Sequence, residues 1–123
     1  MKYLGIDFGL RRIGLATSEG NIAFPYKIVE GKNFSEIVEK IKKEAEGFDK
    51  VVVGMPQGKM GQNVLGFIKA LRKSGLDVVE ADETLSSQKA VSQMIELNVP
   101  KEKRRMNDAY SAAVILQGYL DNL

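Results

Sequence analysis

The chain has 123 residues, 44% of them apolar and 28% charged, with a net charge of +2. That is the balance of a soluble globular protein, with enough chain for one good core and no apolar run near the ~18 residues a membrane span needs. It has no cysteine and no histidine; this excludes disulfides, thiolate metal sites and histidine acid–base chemistry, and leaves oxygen ligands for any metal, with Mg²⁺ or Mn²⁺ ahead of Ca²⁺.

The N-terminus, Met1-Lys2-Tyr3-Leu4-Gly5, enters a strand directly and has no signal-peptide plan, and the absence of cysteine fits a cytoplasmic protein. Strands are expected at about 2–8 and 13–18, joined at Gly9-Leu10-Arg11-Arg12. By the period of two, Leu4, Ile6 and Phe8 share one face, and Tyr3, Gly5 and Asp7 the other. Neither face has a solvent-facing composition, so the first strand reads as central. A carboxylate there is costly unless a donor, a cation or a metal compensates it. In a simple hairpin Phe8 faces Ile13, Asp7 faces Gly14 and Gly5 faces Ala16. Directly opposed residues share a face. Asp7 is therefore expected beside a floor of small residues, left open for chemistry. The bland alternative is a buried aspartate satisfied by backbone amides.

A third strand, about 23–29, contains Pro25 and is expected at an edge, because proline cannot donate to a ladder. Asn33 or Ser35 can then open a helix in which Phe34, Ile37, Val38, Ile41, Ala45 and Phe48 recur at helical spacing. The run 51–54 (VVVG) is a short buried strand of the parallel type. The segment MPQGKMGQ reads as a loop. Its two glycines and Lys59 suit either a turn or a phosphate contact, and its spacing is not that of a P-loop. A helix from about 63 to 74 should turn Val64, Leu65, Ile68 and Leu71 inward and close at Gly75. A fifth strand (DVVEAD), a helix at about 86–97, a basic loop and a last helix at about 107–121 follow. On that last helix Ala109, Ala112, Ala113, Leu116 and Leu120 form one stripe. The order implies one α/β domain spanning 1–123. Its mixed five-stranded sheet has the order 3-2-1-4-5, with helices on both faces, which is the order of the ribonuclease-H-like fold.

Three acidic positions come from different elements. Asp7 ends the first strand. Asp82 and Glu83 end the fifth, where parallel sheets tend to form sites; capping the next helix explains them equally well. Asp108 sits in the first turn of the last helix, where dipole complementarity alone could account for it. Converged carboxylates repel one another, and divalent ions remove that conflict. Two ions about 4 Å apart can activate a water and steady a leaving oxygen in phosphoryl transfer. That chemistry needs no histidine, cysteine or serine nucleophile.

The stretches LGIDFGLRRIGLATS, VVVGMPQGKMG, ADETLSS and NDAYSAAVILQGYL resemble, in order and over nearly the whole chain, the motifs of the YqgF (RuvX) family. Its members are Holliday-junction resolvase-like proteins, also implicated in maturing the 5′ end of the small-subunit ribosomal RNA. The resemblance implies a ribonuclease-H-like fold and a nuclease dependent on Mg²⁺ or Mn²⁺, with catalytic and metal-holding carboxylates at Asp7, Glu83 and Asp108. It departs at Thr84, where the family usually has arginine. Threonine lacks the planar fork that grips phosphate, and Arg104 or Arg105 is the candidate replacement. Arg11, Arg12, Lys59, Lys101, Lys103, Arg104 and Arg105 are the expected nucleic-acid contacts.

With strand four between strands one and five, Glu83 must reach past Gly54. A glycine there blocks nothing, so Gly5, Gly14 and Gly54 are expected to keep space at the site. Gly54→Val should then weaken metal binding and leave the fold largely intact.

Two rivals stand beside the nuclease. An actin-like or sugar-kinase-like nucleotide binder shares the GIDFG hairpin but needs two such domains, and ATP affinity separates it. A non-cleaving nucleic-acid module would not depend on Asp7. The residues do not choose between branched DNA and ribosomal RNA precursors. Symmetric resolution of a four-way junction favours a homodimer, whereas trimming one RNA strand suits a monomer.

Overall fold

The computed structural model describes residues 1–9, 12–55, 61–82 and 107–123. Five strands form one sheet: β1 (Tyr3–Asp7), β2 (Arg12–Glu19), β3 (Ile22–Glu30), β4 (Lys50–Met55) and β5 (Val78–Asp82). The order is β3-β2-β1-β4-β5. β1, β2 and β3 pair antiparallel, whereas β4 and β5 run parallel to β1. The register is the one the hairpin predicts: Gly5 opposes Ala16 and Asp7 opposes Gly14. Pro25 lies on the edge strand as expected, and the β2–β3 register shifts beside it, where Ala16 pairs with Pro25 but Leu15 pairs with Lys27. The missing proline donor falls at this bulge.

Helices α1 (Phe34–Glu44) and α2 (Gly61–Lys73) cover one face, and α3 (Asn107–Asp121) covers the other. Asn33 caps α1 by accepting from the Glu36 N–H at 2.9 Å. α2 begins two residues before the expected Asn63 and closes at Gly75, at φ +90°. The α1/α2 face is packed with large side chains: Leu4, Ile6, Leu15, Ile37, Ile41, Phe67, Ile68 and Leu71 are essentially inaccessible. Each contributes about 1.5–3 kcal/mol by burial. One inward residue of α2 differs from expectation. Leu65 is half exposed, and Phe67 takes the interior place, against Phe8 at 4.9 Å between ring centroids. Helical spacing permits either face here, and the aromatic pair decides it.

The α3 face is built differently. Ala16, Val52, Ala112, Ile115 and Leu116 make its core, with Tyr3 set edge-on to Tyr119. Gln117 anchors α3 to the β2–β3 turn, accepting from Ala23 N–H at 2.9 Å and donating to the Asn21 carbonyl at 2.8 Å. Among the described residues no helix is long and apolar enough to cross a membrane. The expected helix at 86–97 and the basic loop after it lie outside the described residues.

Candidate active site

β1, β4 and β5 run in parallel, so their carboxyl ends, Asp7, Met55 and Asp82, lie along one edge of the sheet. The start of β2 and the end of β3 lie on the same edge, because Arg12 pairs with Glu30. Ligand sites in parallel sheets form along such an edge.

Asp7, half-buried, ends β1 on the α3 side of the sheet. Its cross-strand partner Gly14 lies beneath the first turn of α3. A Cβ at position 14 would overlap the Asp108 carbonyl and come 2.7 Å from the Ala109 nitrogen. Only glycine admits this contact. The N-terminal turn of α3 thus rests on the strand pair that carries Asp7. Two consequences follow. The Asp108 backbone is brought onto Gly14, the cross-strand partner of Asp7, although Asp7 and Asp108 stand 101 positions apart in the chain. The N-terminal end of the helix, where its dipole is positive, also rests on this strand pair, an arrangement that favours a carboxylate nearby.

The small-residue floor is therefore not open, as the sequence suggested. α3 occupies it: a Cβ at Gly5 would stand 2.8 Å from Leu116 Cβ and 3.0 Å from the Ala112 carbonyl. Gly54 is covered too, since a Cβ there would lie 2.6 Å from Ile115 Cδ1. These glycines seat a helix, so Gly54→Val cannot leave the packing undisturbed.

Arg12 opens β2 with its side chain 55% exposed, and its guanidinium lies 3.6 Å from the Asp108 carboxylate. A cation already stands beside one of the two acids. Glu83, Arg11, Lys59, Thr84, Lys101, Lys103, Arg104 and Arg105 lie outside the described residues. Among the described residues no cluster of three carboxylate, histidine or cysteine side chains forms a metal cage; Asp7 and Asp108 provide two oxygen-donor groups.

Two lysines that sequence reasoning passed over stand near this edge, Lys32 and Lys40, in a groove shared with Arg12. The available signal was the Arg12–Glu30 pairing implied by a continued β2–β3 ladder.

A family model described as RuvX, Holliday junction resolvase, matches residues 1–122. This chain belongs to that family. A relative from Maridesulfovibrio salexigens, named "Putative pre-16S rRNA nuclease", is 37% identical over 98% of both chains. A relative of the same name from Sulfurimonas denitrificans is 38% identical, over 98% of this chain and 97% of its own. Among solved structures, the Fowlpox virus Holliday junction resolvase matches with a TM-score of 0.67 at 14% identity, covering 99% of each chain. RuvC of T. thermophilus in complex with a Holliday junction substrate matches at 0.60 and 17%, covering 99% of this chain and 94% of its own. These likenesses at low identity concern the fold, and with the strand order they establish the ribonuclease-H-like architecture of this RuvX-family chain.

Proposed function

We propose that this RuvX-family protein is a metal-dependent nuclease that hydrolyses phosphodiester bonds of structured nucleic acid. The substrate classes that fit are precursor 16S ribosomal RNA, cut at its 5′ end, and DNA of the Holliday-junction kind. The observation that carries this reading is the seating of α3 on Gly14, which sets the turn bearing Asp108 on the strand pair bearing Asp7. Family membership supplies the reaction class.

Asp7, Asp108 and Glu83 are the proposed catalytic carboxylates and the proposed holders of Mg²⁺ or Mn²⁺. The donor set fits such an ion: hard oxygen ligands, no competing nitrogen or sulfur, and a half-buried position for both described acids. When bound, the ion supplies Lewis-acid polarisation of the phosphoryl group and acidification of water. Asp7 orients and holds from a rigid strand, and Asp108 from the first turn of a buried helix. Arg12 balances the charge of Asp108 and can turn toward a substrate phosphate. Arg11, Lys59, Lys101, Lys103, Arg104 and Arg105 are further proposed backbone contacts. The chain is proposed to work as a single domain in the cytoplasm, as a monomer or a weak homodimer.

The test is a cleavage assay with Mn²⁺ or Mg²⁺ on end-labelled four-way DNA junctions and a precursor 16S ribosomal RNA fragment. Wild type should cut one of them, and Asp7→Asn should lower the rate about a hundredfold or more. Tight binding without cleavage, indifferent to Asp7→Asn, would make the protein a binding module instead.

A further inference from the structure

A groove of about 500 Å³ lies at the end of β3 and the start of α1, lined by Arg12, Glu30, Gly31, Lys32, Glu36 and Lys40. It adjoins the acidic pair through one residue. Arg12 pairs with Glu30 in the sheet and reaches the Asp108 carboxylate with its guanidinium. β3 lies two strand spacings, about 10 Å, from β1, and Glu30 stands two residues beyond Ile28, the β3 position level with Asp7 through Gly14. The groove therefore continues the same sheet edge, outward from the acids in the direction away from β4 and β5.

Its charges are three cations against two carboxylates, and they are not equivalently engaged. Glu36 is already satisfied: it pairs with Lys40 at 3.1 Å and accepts from the Lys32 backbone N–H at 3.3 Å. Lys40 also donates to the Glu30 carbonyl oxygen at 2.6 Å, which fixes its ammonium at the groove wall. The Lys32 side chain is exposed and forms no ion pair among the described residues. One positioned ammonium, one unengaged ammonium and one half-exposed guanidinium suit a polyanion with spaced charges. Phosphates along a nucleic-acid strand have that character, and such contacts fix register without reading sequence.

We propose that this groove is a backbone-binding track for the substrate strand beside the cleaved phosphate, with Lys32 and Lys40 as phosphate contacts and Arg12 as the link to the acidic site. The proposal rests on the nuclease reading and adds residues and a direction to it. The strand leaves the acidic site across β2 and β3 toward the N-terminal end of α1. Glu30 is the opposing charge, and it sets how tightly the track holds.

The experiment measures equilibrium binding of the labelled four-way junction and the precursor ribosomal RNA fragment across a salt series, with Asp7→Asn as the uncut reference. Adding Lys32→Gln and Lys40→Gln should weaken binding about tenfold and flatten the slope of log affinity against log salt by about 1.5. Adding Glu30→Gln alone should tighten binding severalfold, a gain that misfolding cannot imitate. Lys42→Gln, on the same helix but outside the groove, should change nothing. An unchanged slope in the lysine pair, or unchanged affinity in Glu30→Gln, overturns the track and leaves the nuclease reading standing. A reference protein that binds neither nucleic acid overturns both.

Discussion

The two faces of the sheet solve different problems. The α1/α2 face is filled by bulky side chains, and its helices stand off the strands by the thickness of Phe67, Ile68 and Ile41. The α3 face sets Val52, Ile115 and Leu116 among alanines and glycines, and its helix comes into backbone contact at Gly14. A thick apolar layer gives stability and tolerates repacking. A thin one holds a helix terminus in a fixed place relative to a strand end, which is what two converging carboxylates require. The candidate site lies on the thin face.

This contrast can be broken from either side. The largest expected effect is Phe67→Ala on the thick face, a loss of about 3–5 kcal/mol in unfolding free energy by denaturant titration. Molecules that remain folded should keep their response to Mn²⁺, because Phe67 packs on the sheet face opposite α3. Gly14→Ala on the thin face should cost about 1–3 kcal/mol. Here the lost quantity should be cleavage per folded molecule, since the Asp108 turn must lift away from Asp7. Equal retention of activity in both variants would erase the distinction between the faces.

Gly54→Ala sharpens the comparison with a repair. It should destabilise by overpacking against Ile115, and Ile115→Val, which removes Cδ1, should restore much of the loss in a double-mutant cycle. Additive losses would mean that Ile115 is not what Gly54 accommodates. Arg12→Gln should change stability by less than about 1 kcal/mol, because the pair with Asp108 is long and the Arg12 side chain is more than half exposed. Its effect should appear in nucleic-acid affinity.

The smallest effect lies at the rim of the thick face. The Lys40 ammonium, and after it the Lys32 N–H, hold the Glu36 carboxyl below its ordinary range. A depressed native pKa adds stability above the unfolded value, near 4.3, and that increment disappears as pH falls through the native value. Wild type should therefore lose slightly more stability than Glu36→Gln between about pH 5 and pH 3, as followed by thermal unfolding.

Much of the fold was legible because its signals are local. Alternation placed Asp7 and Gly14 on one face and in register, Pro25 marked the edge, Asn33 the start of α1, and the alanine stripe the bounds of α3. Of the candidate site, Asp7 and Asp108 could be singled out, but the meaning of the glycines between them could not. A patch of small residues reads equally as an empty floor or as a seat for a helix. Periodicity says which face of an element is buried, and not how near its neighbour comes.

That division describes the whole molecule. The sequence by itself determined the strands, their pairing and register, the amphipathic faces and the family, because these follow from side-chain period, backbone chemistry and ordered motifs. Only the tertiary structure decided that Phe67 and not Leu65 faces inward, that Gly54 seats Ile115, that Arg12 meets Asp108, and that Lys32 and Lys40 share a groove with Arg12. Each of these depends on the distance between elements remote in the chain, and packing of whole side chains sets that distance.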